Sequence, residues 1–126
     1  MKETIRYTPP NSIVFVSDIE GGLVPPSDNW KAEELIFASD SCVCVVCYPE
    51  VDGETEISLK RAEDVHPDPE FDLVFDGVVT TPSKEIMVSN VEIEPLLQAA
   101  VDNLQTRIRV WMDHDRWPQK VVIGWG

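Results

Sequence analysis

Every apolar run in this chain is short, rich in β-branched residues, and stopped by proline, glycine or an acidic turn. A helix of ordinary length needs a 3.6-residue period sustained over ten or more positions, so this punctuation favours strands. SIVFVSDI, residues 12–19, ends at Glu20-Gly21-Gly22 and reads as a buried first strand. CVCVVCY, residues 42–48, has valines at 43, 45 and 46, no glycine, and Pro49 as its stop, the pattern of a central strand buried on both faces. TRIRVWM alternates and KVVIGW is apolar, and Trp117-Pro118 between them excludes a helix, so residues 106–125 are expected to form a hairpin that ties the end of the chain into a sheet.

The middle of the chain follows the same logic. Glu50-Val51-Asp52-Gly53 supplies a turn, with Gly53 at the position that needs positive φ, and GETEISLKR then alternates as a half-exposed strand. The expectation is a hairpin between residues 42–48 and 54–60. AEDVHPDPEFD carries Pro67 and Pro69 and reads as a loop, while FDLVFDGVVTTP and KEIMVSNVEI are β-rich runs parted by Pro82. Two segments favour helix. Ser27 or Asp28 can cap a short helix that starts near Trp30, with Glu33 and Glu34 close to its positive end. In EPLLQAAVDNLQT, residues 94–106, Pro95 at a first helical position and Leu96, Leu97, Ala100, Val101 and Leu104 fit an amphipathic helix. The competing reading of that segment is a loop and a short strand near Ala99 to Asp102, with Asp102-Asn103 turning into the next strand. Together these readings give six to eight strands with one or two short helices, in an antiparallel β-sandwich or a partly open barrel. A length of 126 residues suits one domain, 1–126.

Charge is the strongest compositional signal. With 23 acidic against 10 basic residues, the formal net charge is −13. Such a surface repels nucleic acid and anionic lipid and speeds encounter with basic proteins. No run approaches the roughly 20 apolar residues needed to span a bilayer, and MKETIRYTPPN lacks the apolar segment of a secretory signal. The expected setting is the cytoplasm, where an odd count of three cysteines stays reduced.

Motifs for chemistry are sparse. Alternation along a strand puts Cys42 and Cys44 on one face and Cys47 on the other, so the three thiols diverge, and no second Cys-x-x-Cys pair exists to complete a zinc site. Asp113-His114-Asp115 offers ligand types for a divalent cation, but adjacent loop residues seldom converge, and His66 lies in a different loop. Walker, Gly-x-Gly-x-x-Gly, Gly-x-Ser-x-Gly and His-Glu-x-x-His signatures are all missing. No cofactor is implied and no catalytic or metal-binding residue is assigned. With Ile108, Val110 and Met112 facing a core, Trp111 faces out beside Arg107 and Arg109, a pairing that protein interfaces favour.

The order strand, turn, Pro-Pro, Asp, Trp, short helix, strand in SIVFVSDIEGGLVPPSDNWKAEELIFASDSCVCVVCYP resembles the competence protein J family of small nuclease inhibitors. Pro25-Pro26, Asn29-Trp30, Glu33 and Asp40 carry the resemblance, which covers roughly residues 12–60. It implies a compact β-sandwich without catalytic function that binds and silences a nuclease. A nuclease presents a cationic groove, so the expected partner-binding residues are the acidic loops with Glu63, Asp64, Asp68, Glu70, Asp72, Asp113 and Asp115, with Trp117 as an anchor. The reading that follows is a non-enzymatic module for a basic protein partner. Its alternative is a small-ligand or metal-dependent enzyme with a site between the 66–72 and 113–118 loops.

Overall fold

The computed structural model describes residues 3–8, 13–20, 36–38, 41–47, 53–67, 69–90, 92, 94–113 and 118–126. Among these residues ten strands stand in chain order: β1 (Thr4–Tyr7), β2 (Ile13–Asp18), β3 (Ile36–Ala38), β4 (Cys42–Val46), β5 (Thr55–Arg61), β6 (Asp72–Thr80), β7 (Glu85–Ser89), β8 (Pro95–Ala100), β9 (Gln105–Met112) and β10 (Lys120–Trp125). A 3₁₀ turn, Ala62–Asp64, follows β5. Strands β1-β5-β10-β9-β6, in that spatial order, form sheet A, and β3-β4-β2-β7-β8 form sheet B. The architecture is thus a β-sandwich with two separate sheets and not a closed barrel, and it has more strands than the six to eight expected. One of the additional strands, β1, precedes the segment read as first.

Period-two patterning explains the packing. Along β9 the residues Thr106, Ile108, Val110 and Met112 are buried while Gln105 and Arg107 are exposed. In sheet A, Ile57, Leu59, Val121, Ile123, Ile108 and Val110 point inward, and they meet Val14, Val16, Val43, Val45, Ile86 and Val88 from sheet B in one continuous core. Each such side chain contributes about 1.5–3 kcal/mol by leaving water.

Strand β4 is buried on both faces, as its sequence suggests. Val43 and Val45 join the central core with Cys47, whereas Cys42 and Cys44 pack with Phe15 on the outer face of sheet B. All three cysteines are free and buried. Burial pushes the Cys42 thiol up to about 12, with the neighbouring Cys44 adding to the effect; burial alone lifts Cys44 to about 11; and burial, again reinforced by Cys44, takes Cys47 to about 12. Thiols held neutral in this way are poor nucleophiles and poor metal ligands at neutral pH.

Two expectations fail. The hairpin between 42–48 and 54–60 does not form, because β4 pairs with β2 and β3 in sheet B while β5 pairs with β1 and β10 in sheet A. Strand β4 needs apolar cover on both faces, whereas β5 buries Thr55, Ile57 and Leu59 on one face and carries Glu56 and Lys60 on the other, so the two find their partners in different sheets. The helix over 94–106 is absent too, and Pro95–Ala100 instead pairs antiparallel with β7. Leu97 faces the core there, but Ala100 and Leu104 are exposed, so the helical stripe is never assembled. Backbone pairing with β7 overrides a modest local helix preference. The turn Asp102-Asn103 leading into β9 matches the competing reading in part. The helix expected near Trp30 lies outside the described residues.

Candidate functional site on the outer face of sheet A

Residues paired across a sheet share a face, so the register fixes what sheet A shows to solvent. One row is Thr4, Ser58, Val122, Trp111 and Leu73. The next is Lys60, Gly124, Arg109 and Asp76. Arg6, Glu56 and Lys120 form a third, and Arg107 beside Val78 a fourth. Five basic residues therefore gather on one face of an acidic protein. Two are matched by carboxylates. Arg107 donates from Nε to Asp76 Oδ1 at 2.8 Å and from Nη2 to Oδ2 at 2.6 Å. The hydrogen bond from Arg107, with its charge, keeps the Asp76 carboxyl below its usual range, and the same bond raises Arg107. Arg6 lies 3.8 Å from Glu56.

Trp111 is half-buried on this face, in agreement with its expected outward position. The Arg109 guanidinium lies 5.8 Å from the centre of its ring and also donates to the Gly126 carbonyl at 3.1 Å. The indole crosses Gly124, where a Cβ would stand 2.8 Å from the Trp111 ring and 3.3 Å from the Ala62 Cα. Gly124 is thus required for close approach. The same contact fixes the 3₁₀ turn on the outer face.

That turn begins the acidic segment linking β5 to β6. Strands β5 and β6 run parallel, because β5 is parallel to β10 and both β10 and β6 are antiparallel to β9. The connection therefore leaves the Trp125 end of sheet A and re-enters beside Met112 at the other end, and it separates the expected partner-binding residues. Glu63 and Asp64 are exposed at the Trp125 end, where Arg61 approaches Glu63 at 3.8 Å and Asp102 at 3.4 Å and lies over Trp125 at 4.5 Å. Asp72 pairs with Met112 at the far end, with Glu70 exposed nearby in sequence. Asp113 is at that far end too, and its Oδ1 accepts from the N–H groups of Gln119 and Lys120 at 3.0 and 3.1 Å, which closes the base of the β9–β10 hairpin. Asp68, Asp115 and Trp117 lie outside the described residues, as does His114.

The start of β6 and the end of β9 do meet, so Asp72 and Asp113, at the borders of the two loops expected to form a site, share one end of sheet A. Among the described residues, however, no three His, Cys, Asp or Glu side chains converge as a metal would require. A cleft of about 300 Å³ at this end is lined by Arg6, Glu54, Glu56, Gln119 and Lys120. A second, of about 290 Å³ beside Trp125, is lined by Val101, Asp102, Asn103, Arg107 and Gly126 among others. Both are open clefts and not enclosed cavities.

Sequence reasoning missed Leu73 and Val78, which are 50% and 54% exposed on β6. Their run, DLVFDGVVT, reads only as β-rich, because nothing local marks it as a sheet edge.

Fold and surface together define a two-sheet β-sandwich with charged, mostly exposed strand ends. No family model matches the sequence, and no curated protein matches it. Its structure is similar to that of ComJ from Bacillus subtilis, an inhibitor of the DNA degrading activity of NucA, with a TM-score of 0.60 over 98% of this chain and 94% of that one. Identity is 11%, so the likeness is one of fold. The resemblance read in residues 12–60 thus holds at the level of fold and extends over nearly the whole chain. No helix among the described residues is long and apolar enough to cross a membrane.

Proposed function

We propose that this chain is a non-enzymatic inhibitor that binds and silences a basic protein, a nuclease, in the reducing cytoplasm. The observation that carries the reading is the ComJ-like sandwich joined to a net charge of −13. A nuclease has to be cationic where it holds DNA, and carboxylates at the ends of a rigid sandwich compete for that groove with fast, electrostatically steered association. Glu63, Asp64, Asp68, Glu70, Asp72, Asp113 and Asp115 are the contact residues in this reading, and Trp117 is the anchor. Nucleic acid and membranes are not partners in it, and no cofactor takes part.

The test uses the purified chain, immobilised at low ionic strength and exposed to lysate of its own organism. A basic nuclease should elute in the salt step, and its cleavage of linear duplex DNA should stop when the chain is added back in stoichiometric amount. A salt eluate without a nuclease, or a captured nuclease whose cleavage rate is unchanged by the chain, refutes the proposal.

A further inference from the structure

The turn that carries the chain from β8 in sheet B to β9 in sheet A lines the cleft beside Trp125, together with Val78 and Arg107 from the outer face of sheet A. Val78, Val101 and Trp125 give this cleft of about 290 Å³ an apolar part, while Asn103, Gln105 and Arg107 give it a polar one. Among the described residues three large hydrophobic side chains are exposed, and two belong here. Val78, 54% exposed, lines the cleft, and Leu104, 62% exposed, stands between Asn103 and Gln105 in the turn. A small apolar recess edged by polar groups is what receives the anchor side chain of a protein partner.

Arginines gather around the cleft, against the sign of the whole molecule. Arg109 follows Arg107 by two positions on β9 and so shares its face, and Arg61 lies over Trp125. The carboxylates beside them are engaged: Asp76 accepts from two nitrogens of Arg107, and Asp102 and Glu63 lie 3.4 and 3.8 Å from Arg61. Arg107 nevertheless keeps 51% of its side chain exposed. Arg109 has no carboxylate within ion-pair distance among the described residues; its Nη2 donates to the Gly126 carbonyl, and its buried Nε–H has no acceptor.

We propose that this cleft docks an acidic segment of a protein partner, with an apolar side chain against Val78, Val101 and Trp125 and carboxylates toward Arg107 and Arg109. The inference goes beyond the inhibitor reading, in which carboxylates of this chain meet a cationic groove, and it does not rest on that reading. Both parts of the cleft decide the occupant. The arginines disfavour a basic segment, and the apolar part favours a peptide over a bare anion such as phosphate. Nucleic acid is opposed by the net charge of −13, whereas a short acidic segment meets the arginines inside a Debye length of about 8–10 Å.

The experiment titrates the ¹⁵N-labelled chain, at about 0.15 M salt, with capped Asp-Glu-Leu-Leu-Glu-Asp, with its charge-reversed form Lys-Lys-Leu-Leu-Lys-Lys, and with Asp-Glu-Ser-Ser-Glu-Asp, which lacks the apolar pair. Saturable shifts of the amides of residues 101–107 and of the Trp125 indole, seen with the first peptide alone and weakened about tenfold in Val78→Glu, support the site. Arg107→Gln should weaken binding as well, and it decides the matter if circular dichroism shows that Val78→Glu has lost its fold. The proposal is overturned by an absence of saturable shifts with the first peptide, by equal binding of the lysine or serine peptide, by shifts confined to the residues around Glu63 and Asp64, or by unchanged affinity in the folded variants. Sedimentation of the chain without peptide adds a further arm, in which a dimer abolished by Val78→Glu would assign the cleft to a second copy and overturn the proposal. None of these readouts involves a nuclease, so the docking site and the inhibitor reading stand or fall separately.

Discussion

Asp18 is the polar group whose removal the structure prices most directly. It is 1% exposed at the end of β2, where its carboxylate accepts from the Ser83 N–H at 2.9 Å, from the Ser83 hydroxyl, and from the Glu20 N–H at 2.9 Å. Ser83 belongs to the connection that carries the chain from sheet A to sheet B, so these bonds fix the crossing between β6 and β7. Asp18→Ala leaves the two Ser83 donors without their acceptor, while the Glu20 N–H, on an exposed residue, regains water. Hydrogen bonds to a charged group are worth about 1.5–3 kcal/mol each, so the loss should be about 3–5 kcal/mol. That is a large share of the roughly 5–15 kcal/mol that holds a domain together, and in urea it lowers the midpoint by about 2 M. Burial acts to raise the Asp18 pKa, but the Ser83 hydroxyl, the Glu20 N–H and the Ser83 N–H outweigh it and hold the carboxyl below its usual value of 3.8. A depressed folded pKa stabilises above the unfolded value and loses that stabilisation as pH falls through the folded value. The gap between the unaltered chain and Asp18→Ala should therefore be full at pH 7 and 5 and shrink below about pH 4. Urea unfolding followed by circular dichroism at pH 7, 5 and 3 measures it, and Ser83→Ala, which removes the hydroxyl alone, should show a smaller loss. A midpoint shift under about 0.5 M at pH 7, or a gap unchanged at pH 3, would refute the reasoning.

Other outcomes follow from the same geometry. Gly124→Ala puts a methyl 2.8 Å from the Trp111 ring, so it should cost about 1–3 kcal/mol and move the Trp111 indole resonance, whereas unchanged stability with an unmoved indole would mean that the contact is slack. Ile123→Ala at the centre of the core should cost about 2–5 kcal/mol in thermal or urea unfolding, and a loss under about 1 kcal/mol would contradict the packing. The raised thiols of Cys42, Cys44 and Cys47 stabilise the fold fully below the unfolded thiol pKa near 9 and do so less as pH rises toward 12, so alkaline unfolding should be milder in Cys42→Ala than in the unaltered chain. All three should resist iodoacetamide until the chain unfolds, and rapid labelling of the native protein would count against their burial. Charge reversal in Glu63→Lys/Asp64→Lys should weaken nuclease binding at low salt, with the two proteins converging above about 0.5 M salt, and identical affinities at low salt would remove these residues from the interface.

The sequence by itself determined the predominance of short strands, the burial of β4 on both faces, the separation of Cys42 and Cys44 from Cys47, the C-terminal hairpin, and Gly53 with its φ of +145°. Each of these rests on local physics, because alternation sets which face a side chain takes and glycine or proline sets where a strand must stop. Partner choice was decided only by the tertiary structure. Cys42–Val46 and Thr55–Arg61 are near in sequence yet lie in different sheets, and Pro95–Ala100 exchanges a helical stripe for a place beside β7. Ladder pairing is non-local, so no window of sequence reveals which of ten strands will supply the other half. The candidate site has the same origin. Trp111 and Arg109 could be read as outward-facing from alternation, but the exposed side chains of β6, the cations gathered on sheet A and the separation of Glu63 from Asp72 exist only once strand order is fixed.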